Sequence, residues 1–440
     1  MRKKEKAVVS IFWFRRDLRL EDNIGLMHAL KTRENVLPVF IFDPEIFQRD
    51  QKNRNVQVGF VYDALLSIKE KLEILGSDLY VAAGKPLDVF KTLMETYHIF
   101  SVYANREYEP YTLQRDEEIA SFLNQHEVEF HTYKDHVLFE KDEIVKDNGE
   151  PYTVFTAYKQ RFLRKLNLSM VVPAPISKYA HNFFRTVPIP MPSLEEMKYS
   201  RVDVPIPARK LPAELLKNYE SERDFPARNG TSHLGVHLRF GTVSIRKVTA
   251  LAMQHSDTFL SELLWRNFYS VILWFFPEVV HRSFKPAYDD ILWENKKGQF
   301  EAWCEGRTGY PLVDAGMREL NATGYMHNRV RMVVASFLCK HLLIDWRWGE
   351  AFFASKLLDY DLASNNGGWQ WAAGSGNDAA PYFRVFNPEL QAKKFDPKGE
   401  YIVKWVPEYG TMSYPKPIVV HAEARERALT RYAEAVKAKA

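Results

Sequence analysis

L-D-Y-D-L-A-S-N-N-G-G-W-Q-W-A-A-G-S-G-N-D-A-A-P-Y-F-R, residues Leu358 to Arg384, is the stretch from which the rest of the chain is read. It combines two acids (Asp359, Asp361), two amides (Asn365, Asn366), a glycine pair and two tryptophans (Trp369, Trp371). Such a run is a poor core helix, because Gly367 and Gly368 weaken regular structure; they also permit close backbone approach to a ligand. Trp369 and Trp371 share a face in extended chain and diverge in a helix. A planar, hydrogen-bonding ligand suits this mixture of acids, amides and indoles. A polar loop with two buried tryptophans is the other reading.

Working outward, 440 residues are long enough for two domains rather than one. Hydrophobic residues make up 46%, which argues against disorder. Aromatic residues reach 14%, with 10 Trp, and fit either a ring-filled helical core or a site that stacks ligands. A net charge of +4 is compatible with nucleic acid without demanding it, so any DNA face is a local patch. The two cysteines, Cys304 and Cys339, argue against a disulfide framework and rule out a single-chain four-cysteine iron–sulfur cluster. They fit a reducing compartment. The start, Met1-Arg2-Lys3-Lys4-Glu5-Lys6, is basic, and the run Ala7 to Phe14 behind it is too short for a signal peptide. No apolar run approaches a membrane span. A soluble, cytoplasmic protein is expected.

Toward the N-terminus, strand and helix alternate. Val8–Phe14 and Val36–Phe42 read as buried strands, and residues 61–75 carry helical spacing through Leu65, Ile68, Leu72 and Leu75, with Gly76 at the C-cap position. The alternation continues to Tyr133 and argues for a parallel sheet covered by helices. W-F-R-R-D-L-R-L follows the first strand where a glycine-rich loop would stand, so an NAD-type fingerprint is absent. Residues 135–209 hold one helical piece (152–166) and then Pro173, Pro175, Pro188, Pro190, Pro192, Pro205 and Pro207, which mark a connection. Beyond it, residues 260–276, 299–305, 311–323, 328–343 and 350–358 carry helical spacing, and the last helix, 422–439, is amphipathic. The expected organisation is an α/β domain (1–134), a linker (135–209) and a helical domain (210–440).

Thr231 and Ser232 follow Gly230 where a helix is expected to begin, so they can cap it and face an anion, or serve as an ordinary N-cap. Glu262, Trp265 and Tyr269 stand at i, i+3 and i+7 on one helix face, where a glutamate seldom goes unpaired. A buried Arg331 needs a carboxylate, which Asp359 or Asp361 can supply. H-E-V-E-F-H at His126 fails as a zinc motif because Phe130 stands where the second histidine belongs. G-S-G-N at Gly374 is too short for a phosphate loop, and no Ser-His-Asp elbow is visible. No metal site is expected.

W-F-R-R-D-L-R-L-E-D-N from Trp13 and the segment from Leu358 to Arg384 closely resemble the DNA photolyase and cryptochrome family, and the resemblance runs over nearly the whole chain. It is closest to the bacterial class I photolyases that repair cyclobutane pyrimidine dimers. It implies an N-terminal parallel-sheet, Rossmann-like α/β domain and a C-terminal all-helical domain holding U-shaped FAD. By that resemblance, Tyr219, Thr231, Ser232 and Leu234 hold the phosphates and ribose of FAD, and Gly235 replaces a serine common at its position. Arg331 pairs with Asp359, Asp361 lies beside the flavin ring, Arg266 contacts the flavin, and Asn365 faces its reactive ring nitrogen. A neutral amide there suits a reduced, anionic flavin, which an acid would repel; plant cryptochromes usually carry aspartate.

Trp369, Trp346 and Trp293 match the family's tryptophan triad, which passes an electron from the surface to the photoexcited flavin. Trp265 and Trp371 match the pair that flanks a flipped-out dimer, Glu262 the acid that hydrogen-bonds it, and Asn328 and Met332 complete the pocket. Enzymes for the six-four photoproduct carry a histidine pair at those last two positions, so asparagine and methionine point to the cyclobutane dimer. Arg223, Arg329 and Arg384 match arginines near the DNA backbone, where the planar guanidinium fork suits phosphate. Family members often bind an antenna chromophore, a folate or a deazaflavin, in the α/β domain. N-R-E-Y-E-P-Y, with Asn105 and Glu109, fits a ligand-facing loop for one. No histidine occurs between Phe40 and Phe60, where folate-binding relatives often carry one.

The function so implied is light-driven repair of cyclobutane pyrimidine dimers in DNA by a monomeric carbon–carbon lyase that needs no membrane. Excited reduced FAD gives an electron to the dimer, the ring splits and the electron returns. A cryptochrome-type blue-light photoreceptor without repair is the alternative. Asn365, the pocket of Trp265, Trp371 and Glu262, and the lack of a long extension after Pro415 oppose it.

Overall fold

The computed structural model of the chain describes residues 6–47 and 55–437. The basic start (1–5), part of the stretch between Phe40 and Phe60 (48–54) and the end of the last helix (438–440) lie outside the described residues. The strands are β1 (Val8–Phe14), β2 (Val36–Phe42), β3 (Tyr80–Ala83), β4 (His98–Asn105) and β5 (Glu129–Tyr133). Interleaved with them are α1 (Ile24–Leu30), α2 (Val56–Ile74), α3 (Pro86–Thr96) and α4 (Pro110–Gln125). Helices α5 (Phe155–Lys165), α6 (Ala213–Glu222), α7 (Gly235–Arg239), α8 (Ile245–His255), α9 (Asp257–Phe275), α10 (Lys297–Cys304) and α11 (Pro311–Thr323) follow. The chain continues with α12 (Asn328–Ser336), α13 (Trp346–Lys356), α14 (Leu362–Ala373), α15 (Pro388–Phe395), α16 (Glu400–Trp405) and α17 (His421–Lys437).

Two compact units are present. The first takes the chain up to Glu140, Leu166–Arg209 and Leu234–Leu251; the second takes Lys141–Lys165, Lys210–His233 and the chain from Ala252 onward. Residues 135–209 are divided between the units: α5 belongs to the second and the proline-rich remainder, up to Arg209, to the first. Those prolines dock rather than dangle. Phe183 bridges to Val36 as an added parallel pairing, and the backbone N–H of Ile189 donates to the buried carboxylate of Asp78.

In the first unit the sheet order is β3-β2-β1-β4-β5, parallel throughout. All of β2 and nearly all of β1 are buried, which is why both read as unbroken apolar runs rather than alternating ones. Directly after β1, W-F-R-R-D-L-R-L turns into a layer of buried ion pairs. Arg16 and Arg239 each donate to Glu109 Oε1 at 2.7 Å, and Arg19 pairs with Asp135 at 2.6 Å. This corrects the expectation of a ligand-facing loop at Asn105 and Glu109. Both side chains are buried and used internally: Asn105 Nδ2 donates to Asp17 Oδ2 (2.5 Å) and Asn23 Oδ1 (2.7 Å). Buried polar groups need partners, and here the fold supplies them.

In the second unit, α11, α12, α13 and α14 pack around Trp303, Leu312, Val334, Leu338, Trp346, Phe353 and Trp369. The poor-helix reading of the Gly367–Gly368 region is wrong, because α14 runs through it. Tertiary contacts override local propensity. Asp361 caps the N-terminus by accepting from Ser364 N (3.0 Å), and Gly374 closes the C-terminus at φ 93°. Asn366 Nδ2 and Gln370 Nε2, one turn apart, both donate to Val279 O at 2.9 Å. Residues 328–343, expected as one helix, form α12 followed by a π-helical turn, Phe337–His341.

Candidate functional site

Where α9, α12, α13 and α14 converge, the second unit encloses a cavity of about 430 Å³. From α9 come Glu262, Trp265, Arg266 and Tyr269, the helix face legible in the spacing. Asn328, Arg329, Arg331 and Met332 come from α12, and Asn365, Gly368, Trp369 and Trp371 from α14. Asp359 and Asp361 line the segment entering α14, and Arg223, just past α6, stands at the edge. The structure thus brings thirteen expected residues to one cavity.

The choice of acid for Arg331 is decided by geometry. Its Nη2 donates to Asp359 Oδ1 (3.1 Å) and Oδ2 (3.0 Å), and its Nε donates to Met326 O (2.7 Å). Asp361 serves as the cap of α14 instead. Asn365 Nδ2 donates to Glu350 Oε1 (2.8 Å) and to Glu350 O (3.2 Å). Glu350 was not among the expected residues; its only mark is an acid in the aromatic run W-R-W-G-E-A-F-F.

Burial raises the Glu350 carboxyl above its ordinary value, and the Asn365 hydrogen bond works the other way. A carboxyl that holds its proton more tightly folded than unfolded contributes most in acid, and the contribution is lost as pH rises through the folded pKa. Relative to Glu350→Gln, which keeps an acceptor for Asn365, the wild-type chain is therefore expected to lose stability from the ordinary carboxylate range toward neutrality. Urea unfolding of both proteins across that range checks it. A constant difference contradicts it.

Glu262 accepts from Arg223 Nη1 at 2.7 Å, and the Arg223 guanidinium lies 5.3 Å above the Tyr219 ring. The Trp265 indole stacks on Phe155 of α5, with centroids 3.7 Å apart and planes 11° apart. Asp378 Oδ2 accepts from Phe155 N at 3.0 Å and ties that helix start in place. Phe155 was missed because it lies within the supposed linker. Arg329 reaches Asp224 at 2.7 Å, a second partner with no mark in the sequence.

Other expected residues lie elsewhere. The N-cap position of α7, which begins at Gly235, is held by Leu234 and not by Thr231 or Ser232, and Leu234 belongs to the first unit. The Thr231 hydroxyl lies 3.4 Å from that of Tyr325. Tyr219 is buried on α6, edge-on to Phe259 at 5.0 Å. Trp369, which lines the cavity, also packs edge-on against Trp303 (6.1 Å) and Phe353 (5.0 Å). Trp346 is buried at the start of α13, and Trp293 is half-buried beside Tyr432 at 6.0 Å. Arg384 sits in the loop after α14, its carbonyl held by Lys340 Nζ at 2.9 Å.

A cavity with a guanidinium paired to an acid, a side-chain amide and indole walls suits a planar, hydrogen-bonding ring, and the chain around it matches a known domain class. Residues 10–178 match the DNA photolyase domain, and residues 259–413 match the FAD binding domain of DNA photolyase. The chain belongs to the DNA photolyase family, and it is an FAD-binding photo-lyase. The deoxyribodipyrimidine photo-lyase of Halobacterium salinarum is 36% identical, over 97% of this chain and 99% of its own. That of Escherichia coli is 36% identical, over 98% and 99%.

Among solved structures, a bacterial class III photolyase from Agrobacterium tumefaciens matches with a TM-score of 0.86 at 34% identity, covering 99% of each chain. An archaeal photolyase from Sulfolobus tokodaii, solved with two FAD molecules, gives 0.83 at 36%, covering 97% of this chain and 100% of its own. A Synechocystis cryptochrome gives 0.84 at 26%, with the same coverages. The cavity leaves room for a flat ring against α14: at Gly368 a Cβ would meet nothing within 4 Å. Among the described residues, no helix is long and apolar enough to cross a membrane.

Proposed function

We propose that this protein repairs cyclobutane pyrimidine dimers in DNA with light. The carrying observation is that one cavity gathers Glu262, Trp265, Trp371, Asn328 and Met332 beside Arg331, Asp359 and Asn365. Bound FAD supplies the light absorption and the electron that opens the cyclobutane ring, and takes that electron back. The residues bind, orient and shield. Arg266, Arg331, Asp359 and Asp361 hold the cofactor, with Tyr219, Thr231, Ser232 and Leu234 assigned to it by the family pattern. Asn365 faces the ring without adding charge, so it does not oppose an anionic flavin. Trp265 and Trp371 stack on the extruded bases, and a damaged, poorly stacked pair costs less to extrude. Glu262 accepts from a base N–H. Arg223, Arg329 and Arg384 take backbone phosphates. Trp369, Trp346 and Trp293 form the path by which the cofactor is reduced. The protein acts as a monomer in the cytoplasm, a reducing compartment that suits its free Cys304 and Cys339.

The test is repair of a thymine-dimer oligonucleotide by purified protein with reduced FAD. Blue light is expected to restore thymine absorbance and darkness to leave it unchanged. Asn365→Asp is expected to slow repair and to destabilise the reduced cofactor, read from its absorbance under reductant. Normal flavin photoreduction without any repair overturns the proposal in favour of a photoreceptor.

A further inference from the structure

The dipeptide Arg223–Asp224, just past the end of α6, sends opposite charges to two different helices at the cavity mouth. Arg223 meets Glu262 on α9 and Asp224 meets Arg329 on α12, each at 2.7 Å. We propose that Asp224 occupies, in the free protein, the place of a DNA phosphate on Arg329, so that DNA binding is an exchange of carboxylate for phosphate. The inference rests on the DNA reading above.

Three observations support it. The contact is single-point: Arg329 Nη2 alone donates to Asp224 Oδ1, whereas a guanidinium presents five N–H donors in a fork. The rest of that fork is poorly used. Nη1 reaches only the sulfur of Met332 at 3.8 Å, and Nε is enclosed with no partner among the described residues. The pair is also accessible, with side-chain exposures of 20% for Arg329 and 37% for Asp224. A partly exposed, single-point pair is weak, and a phosphate that engages two donors displaces it. Meanwhile the Arg329 guanidinium stays seated over the Phe395 ring, 4.4 Å from its centroid.

The two acids at the mouth then do different work. Glu262, released from Arg223, regains a partner only if a lesion base enters, so its pairing favours damaged DNA. Asp224 gains nothing from a lesion, so it lowers affinity for all DNA alike. Masking of Arg329 also removes one positive charge from counterion release, which accounts for roughly 0.9 of the slope of log affinity against log salt.

The experiment measures binding of undamaged and thymine-dimer duplexes by the FAD-loaded protein over a potassium chloride series. Asp224→Asn is expected to bind both about fivefold more tightly at low salt, with the slope steeper by about 0.9 and the damaged-to-undamaged ratio unchanged. Asp224→Glu is expected to restore wild-type behaviour. Adding Arg329→Gln to Asp224→Asn is expected to abolish the gain, which a general change in folding would not do. Wild-type affinities and slope in Asp224→Asn, or a gain that survives Arg329→Gln, overturn the exchange while leaving the repair reading intact. A wild-type protein with no salt-dependent DNA affinity overturns both.

Discussion

Gly367→Ala is expected to lower the stability of the protein by about 3 kcal/mol, the upper end of the cost of overpacking a core. A Cβ at this position would sit 2.2 Å from Cδ1 and 2.3 Å from Cε1 of Tyr269, far inside van der Waals contact. Neither partner can easily withdraw. Tyr269 stands on α9 with its ring against Trp265, 5.5 Å away, and lines the cavity. On the other side, α14 is pinned to Val279 O by Asn366 and Gln370. The strain therefore falls on the α9–α14 contact that frames the cavity, and flavin retention should fall with stability. Gly368→Ala is the matched control. Its Cβ would meet nothing within 4 Å, and alanine is the better helix former by about 1 kcal/mol. Urea unfolding of the two cofactor-free variants reads the contrast in stability, and flavin absorbance after loading compares Gly367→Ala with the wild-type chain. Equal stabilities would show that the α9–α14 contact is looser than described.

The second large effect concerns the substrate. Trp265→Ala removes one wall of the cavity proposed to take the lesion, and aromatic stacking on a base contributes about 1–3 kcal/mol. Dimer affinity is therefore expected to fall about tenfold to a hundredfold. The loss should be selective, because Arg223 and Arg329 remain to engage phosphates and affinity for undamaged duplex should hold. Trp371→Ala is expected to act in the same direction. Phe155 explains why Trp265 can offer a clean face: the phenyl ring stacked at 3.7 Å covers its other side. Equilibrium binding to damaged and undamaged duplexes measures the ratio. An unchanged ratio in Trp265→Ala would remove the indole from the lesion site.

Some of this was legible in the residues because local chemistry was enough. Strands buried on both faces must be unbroken apolar runs, so Val8–Phe14 and Val36–Phe42 announce a parallel sheet. Glu262, Trp265 and Tyr269 announce a helix face, and Arg331, half-buried in the structure, announces an acid. What was not legible depends on distant partners. Asp359 and Asp361 are equivalent until the cap of α14 claims one of them. Glu350, Asp224 and Phe155 acquire meaning only from Asn365, Arg329 and Trp265, each reached through the fold. The glycine pair misled for a related reason: propensity is local, whereas Gly367 is there for the ring of Tyr269 and Gly368 for an open face. Asn105 and Glu109 looked like ligand-facing groups because their internal partners, Asp17, Arg16 and Arg239, lie far away in the chain.

The proposed repair requires one cavity to serve both the light-absorbing cofactor and the lesion. The most direct measurement is a crystal structure of the FAD-loaded protein with a thymine-dimer duplex, grown in darkness. The predicted result places the flavin against Arg331, Asn365 and the Gly368 face. It places the dimer, out of the helix, against Trp265 and Trp371, with Glu262 turned from Arg223 to a base. A dimer left stacked in the duplex, or bound away from this cavity, would contradict it.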